Sequence, residues 1–177
     1  MSEPGLFAAR VLRPPRGFTL AEVMIALAVL GVLAAVGLPA MRDLVIGGRI
    51  RSGASDLYES MLIARSEAIK RNTEVRVVPA SSGWAGGWTV QIASSGTVLR
   101  SRDATSGITM STTASGSVCY KLDGRLSLGS PCTATVPRIT SYSSEYPTIP
   151  ARCVMLDASG RPSIRTDNDA DPTNGCL

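Results

Sequence analysis

Glu22 is the one carboxylate in an apolar run that continues to Leu38, and that run holds no cation to meet it. A charged side chain inside roughly 20 apolar residues costs a few kcal/mol in hydrocarbon, so it marks a functional position whose cationic partner comes from outside the segment. Arg16, Gly17 and Phe18 stand just before it. The residues up to Gly17 carry Arg10, Arg13 and Arg16 against one acid, Glu3, which makes a short basic leader without a spanning apolar core. In a secretory signal peptide the small-residue cut site follows the apolar run, whereas here Gly17 precedes it. Cleavage after Gly17 would spare the apolar helix and make the Phe18 nitrogen a cationic amine. That amine could pair with a carboxylate four residues along on a neighbouring subunit.

Other chemistry is narrowed by what the chain lacks. It has no histidine, which excludes a Ser-His-Asp triad, a Cys-His pair and the histidine-based zinc motifs. Cys119, Cys132, Cys153 and Cys176 form no Cys-x-x-Cys pair; an even number of cysteines in a compact region reads as disulfides. Three pairings are possible. Cys119–Cys132 with Cys153–Cys176 is favoured, since both close short loops and the second would tie the C-terminal tail to a strand. Asp167, Asp169 and Asp171 alternate like the start of a calcium loop, but Pro172 stands where an EF-hand needs glycine and no later glutamate follows. A solvated acidic tail is expected, with no metal and no cofactor. The net charge of +4 falls to +2 once three leader arginines and one glutamate are removed, so the high pI reflects the leader more than an anionic partner.

These residues need elements to position them. Beyond the apolar run, Ile50, Ala54, Leu57, Met61, Ala64 and Ala68 recur at steps of four and three, and Leu62 and Ile69 widen the stripe. This is helix spacing, and it predicts a helix lying on the sheet of its own domain. Glu67 and Arg71 are spaced to pair on its surface. Pro39, with Gly37, Gly47 and Gly48 nearby, should bend or loosen the helix. From Thr73 onward, short segments rich in Val, Thr and Ile alternate with Gly and Ser clusters, which predicts antiparallel strands near 74–78, 88–93, 97–102, 108–112, 118–122, 125–128, 137–142, 153–156 and 162–166. Hairpin turns are expected at Gly96, Gly124 and Gly160. Trp84 and Trp88 are expected in the core.

The stretch Arg16-Gly17-Phe18-Thr19-Leu20-Ala21-Glu22 resembles the processing site of type IV pilins and type II secretion pseudopilins. In that family a prepilin peptidase cuts after the glycine, the new terminal phenylalanine is N-methylated, and the fifth mature residue is glutamate; Gly17, Phe18 and Glu22 fall on those positions. Pro39 falls where many pilins carry a helix-loosening proline. Further segments, including residues 64–71 at the helix end, Gly83-Trp84, Gly86-Gly87-Trp88 before a strand, residues 98–100 and Gly160-Arg161-Pro162, resemble the FimT/GspH group of minor pilins and H-type minor pseudopilins.

The resemblance implies an α+β, type IV pilin-like fold, in which a long N-terminal helix packs on an antiparallel sheet domain. The expected organisation is a cleaved cytoplasmic leader (1–17), a transmembrane and filament-core helix (18–44), an amphipathic periplasmic half-helix (45–72) and a β-rich domain with disulfides (73–177). It implies a non-enzymatic subunit of a type IV pilus, anchored by one pass in the bacterial inner membrane with its globular domain in the periplasm. Its partners would be other pilins, the peptidase and inner-membrane lipid. An H-type pseudopilin of a type II secretion system is the alternative. In some related pilins a Gly-Arg-x-Arg segment binds double-stranded DNA during natural transformation. Only Gly160 and Arg161 match that segment in place; Ser163 stands where the second arginine belongs, and Arg165, two residues late, could still join Arg161 on one strand face. A plain hairpin with solvated arginines is the competing reading of this site.

Overall fold

The computed structural model describes residues 17–167 together with 169, 171 and 176, and the side chains of residues 36 and 38–40 lie outside the described set, as does the expected leader up to Arg16. One long helix, α1 (Leu20–Arg71), precedes β1 (Val75–Ala80), β2 (Gly83–Ile92), β3 (Val98–Asp103), β4 (Thr109–Thr112), β5 (Val118–Tyr120), β6 (Leu126–Ser127), β7 (Arg138–Tyr142), β8 (Arg152–Leu156) and β9 (Pro162–Thr166). The chain forms two compact units, one ending at Pro39 and one running from Ala40 to Leu177.

In the first unit the described helix is apolar on every side, with Met24, Ile25, Leu27, Leu30, Val32 and Leu33 all exposed. A helix without a polar face finds no stable partner in water and calls for an apolar environment. Among the described residues no helix is long and apolar enough to cross a membrane; the described side chains of this stretch break off at Ala35, short of the sequence run that reaches Leu38.

In the second unit the helix is amphipathic as its spacing requires. Ile50, Ala54, Leu57, Met61, Ala64 and Ala68 are all within 1 % of complete burial, whereas Leu62 and Ile69 are 40 % and 52 % exposed. The expected wider stripe is therefore corrected: these two side chains sit one position past the buried row and turn toward solvent, about 100° around the helix. The helix ends in a Schellman motif. The Thr73 N–H donates to the Ala68 carbonyl (3.2 Å) and the Asn72 N–H to that of Ile69 (3.3 Å), with Asn72 left-handed at φ 51°, a geometry asparagine tolerates better than most residues. Arg71 and Lys70 both reach Glu67, Lys70 at 3.7 Å, and the Arg71 hydrogen bond, first among the causes, holds the Glu67 carboxyl below the usual range.

The nine strands lie within a few residues of their expected positions, but they make two antiparallel sheets rather than one: β3-β2-β1-β5-β6 and β4-β7-β8-β9. After the β2–β3 hairpin the chain passes into the second sheet with β4, returns to pair β5 on β1 (Val75↔Tyr120), and then leaves for β7. The helix packs on both sheets. On the first, Trp88 Nε1–H donates to Ser60 Oγ at 2.9 Å. On the second, Gly53 lies so close that an added Cβ would come within 2.9 Å of Ile108 and Met110. The shared core contains Val75, Val77, Trp84, Trp88, Val90, Val118, Tyr120, Ile139 and Val154.

Gly83, Gly86 and Gly87 are not ahead of a strand but inside β2, opposite a register shift at Pro79/Ala80. Gly87, at φ 97°, allows the Arg102 carbonyl to approach where a Cβ would lie 2.3 Å away. A second register shift, at Val90/Gln91, leaves Leu99 as the extra residue of β3. It packs on the core while Arg100 and Arg102 reach Glu59 (3.1 Å) and Asp56 on the helix. Such a bulge redirects side chains that strict alternation would send to opposite faces.

Candidate functional site

Two regions hold the residues singled out by the sequence: the N-terminus of α1, and the β8–β9 hairpin with the tail after it. At the helix start, the Glu22 N–H donates to Thr19 Oγ1 at 3.2 Å and the Thr19 N–H donates back to Glu22 Oε2 at 3.5 Å. This reciprocal pair is a capping box, in which a Thr at the N-cap and a Glu three residues on satisfy two backbone donors that the helix leaves unpaired. Glu22 also lies where the positive end of the helix dipole favours a carboxylate. Thr19 was missed from sequence, although Thr19-x-x-Glu22 is the signature of such a cap.

Phe18 is 84 % exposed beside this cap. At Gly17 an added Cβ meets nothing within 4 Å and the backbone is not left-handed, so nothing in the fold demands glycine there. Pro39 lies within the continuous helix α1 and is the last residue of the first compact unit.

In the hairpin, β9 pairs with β8 through Leu156↔Pro162 to Arg152↔Thr166, and its turn is left-handed at Gly160, φ 79°. An added Cβ at Gly160 would lie 2.6 Å from the Gly124 carbonyl, so the turns of the two sheets touch and neither can carry a bulkier backbone there. Arg161 and Arg165 are both exposed. The Arg161 N–H donates to Asp157 Oδ1 (2.8 Å) and the Asp157 N–H to the Arg161 carbonyl (3.1 Å), which continues the ladder and puts both arginines on the sheet face away from Val154 and Leu156. Asp157 itself is held below the usual carboxylate range, first by the Ser159 hydroxyl and then by the Arg161 N–H.

The tail departs from the expected solvated run of acids. Asp167 is only 2 % exposed, its N–H bound to the Ala151 carbonyl, while Asp169 and Asp171 are exposed. Burial, with Asp169 and Asp171 adding negative charge, pushes the Asp167 carboxyl up. Cys176 is bonded to Cys153 in β8 (Cα–Cα 6.1 Å), as Cys119 is to Cys132 (5.7 Å). Glu74 lies near the latter pair, but sulfurs joined in a disulfide are not thiolate ligands.

Comparison with known proteins fits this arrangement. The family model described as type II transport protein GspH matches residues 53–160, and the prokaryotic N-terminal methylation motif matches residues 12–38. No curated protein sequence matches the chain. The type IV minor pilin FimU of Pseudomonas aeruginosa, in one crystal form, is 18 % identical with a TM-score of 0.55, over 73 % of this chain and 96 % of that one; a second crystal form gives 19 % and 0.54, over 72 % and 99 %. The minor pseudopilin EpsH from the type 2 secretion system of Vibrio cholerae is 12 % identical with a TM-score of 0.50, over 67 % and 95 %. All share the arrangement of a helix followed by antiparallel sheets. The family match spans more than half of the chain and the methylation motif precedes it, so this protein belongs to the GspH family, as a minor pilin or pseudopilin of the type IV pilus or type II secretion kind.

Proposed function

We propose that this chain is a non-catalytic minor subunit of a type IV pilus, cut between Gly17 and Phe18 by a prepilin peptidase, N-methylated at Phe18 and anchored in the inner membrane until it enters the filament. The carrying observation is the helix start, where one carboxylate, Glu22, lies four residues from the cut on a helix apolar all round. A glycine that the fold does not require supports a peptidase requirement at position 17. In the filament, Glu22 neutralises the terminal amine of a neighbouring Phe18, and the pair compensates the burial of both charges. Pro39 loosens the helix between its membrane and domain halves. The mass of the N-terminus of membrane-extracted protein tests this directly.

The second reading, an H-type pseudopilin of a type II secretion system, is favoured by the family model itself. Deleting the gene separates the two: loss of piliation with normal secretion supports the pilus subunit, and the reverse supports the pseudopilin. A DNA-binding role, superimposed on either, rests on Arg161 and Arg165 sharing an exposed sheet face.

A further inference from the structure

Within the unit from Ala40 to Leu177, the helix residues Asp43 to Arg51 and the segment Thr148–Arg152 line an open groove of about 640 Å³. Two guanidinium groups border it. Arg51 holds its place through an Nε–H bond to the Gly47 carbonyl at 3.2 Å. Arg152, half-buried at the start of β8, has a guanidinium that makes no hydrogen bond or ion pair among the described residues. Its guanidinium nitrogens are not among the buried unpartnered polar atoms, so its five donors stay open to a ligand in the groove. The Thr148 and Thr166 hydroxyls add donors to the same lining, and Leu44 and Ile149 give it an apolar side.

We propose that this groove binds the phosphodiester of a membrane phospholipid headgroup. Charge supports a monoanion: two arginines and one carboxylate, Asp43, leave the lining a net single positive charge, which matches a phosphodiester better than doubly charged inorganic phosphate. A guanidinium fork is suited to phosphate oxygens. The location supports lipid as the source. Asp43 and Leu44 follow Leu38, the end of the apolar run, by five and six residues, so the chain cannot carry them more than about 20 Å from it, within reach of the headgroup layer. The apolar side of the groove suits the glycerol and upper acyl chain. The inference rests on the membrane anchoring proposed above, and it gives the resting subunit a hold on the bilayer surface besides its apolar helix.

The test uses full-length, processed protein extracted in a phosphate-free detergent, with native mass spectrometry reading the phospholipid retained per chain. Wild type should keep one phospholipid. Arg51→Gln with Arg152→Gln should weaken retention by roughly tenfold or more, since each charged hydrogen bond lost is worth about that factor. Gly47→Leu, which fills the groove from a helix position that favours leucine over glycine, should do the same without removing a charge. Arg125→Gln, on the distant β5–β6 hairpin, should leave retention unchanged. Equal retention by wild type and both groove variants overturns the site, and displacement of the lipid by equimolar inorganic phosphate overturns the lipid as its ligand. A chain absent from the membrane fraction overturns the anchoring reading and this one together, whereas correct fractionation with lost lipid selectivity overturns only the groove.

Discussion

Glu22 caps the helix, and the ion-pair role proposed for it in the filament can be separated from that cap by substitution. Glutamine at position 22 keeps a side-chain oxygen at the distance needed to accept the Thr19 N–H, so the capping box observed here at 3.2 and 3.5 Å survives. It removes the charge, however, and under the proposed pairing would leave the neighbouring subunit's Phe18 amine buried without a counterion. Breaking a buried pair by removing one partner costs about 3–5 kcal/mol, which corresponds to roughly 10²–10⁴-fold in the equilibrium for subunit addition. Thr19→Ala does the opposite: the carboxylate stays, and losing the cap costs about 0.5–2 kcal/mol of helix stability. In filaments sheared from cells and compared with the membrane fraction by immunoblot, Glu22→Gln should be nearly absent despite normal membrane levels. Thr19→Ala should assemble close to wild type. If Glu22→Gln enters filaments at the wild-type level while Thr19→Ala does not, the carboxylate acts through the helix cap and the ion-pair account is wrong.

Further outcomes follow from the same structure. Leu57→Ala, at a fully buried position of α1, should cost about 2–5 kcal/mol in urea unfolding of the intact protein, while Leu62→Ala, exposed on the other side of the helix, should cost well under about 1 kcal/mol; similar losses would mean that the packed face is misassigned. Burial raises the Asp167 carboxyl in the folded state, so this group opposes folding above its raised value and the penalty is relieved as pH falls toward the unfolded value near about 3.9. Asp167→Asn should therefore raise Tm at pH 7 and lose that advantage at pH 4, and a lowered Tm at pH 7 would contradict it. If Arg161 and Arg165 bind duplex DNA, gel-shift affinity should be weak, should fall as salt rises and should vanish in the double glutamine variant; binding that survives both changes lies elsewhere, and no binding at low salt leaves a plain hairpin.

Much of this fold could be read in the chain because the relevant signals are local. The four-and-three spacing from Ile50 to Ala68 specifies a buried face with or without knowledge of what covers it. Gly96, Gly124 and Gly160 mark their turns because only positive φ, here 68°, 77° and 79°, closes them. The cysteine pairing followed from loop length, since 13 and 23 residues separate the bonded partners. What escaped was non-local. Alternation along a strand shows which side chains point inward but not which sheet receives the strand, and the return of β5 to pair with β1 across 40 residues has no signature in either segment. Leu62 and Ile69 misled because an apolar residue next to a buried row looks like its continuation. The burial of Asp167 comes with the bond of its N–H to the Ala151 carbonyl, a non-local contact invisible in a run of polar residues. At the N-terminus the methylation motif was legible, while the Thr19 cap went unread because Glu22 already had an explanation.

The identity of the first residue of the mature chain carries the whole functional account. Intact-mass and peptide mass spectrometry of protein extracted from membranes should find a chain that begins with N-methylated Phe18 and lacks everything through Gly17, and Gly17→Val should leave the leader attached. A membrane-resident chain that still carries Arg16, or that begins at an unmodified residue beyond Phe18, would contradict it.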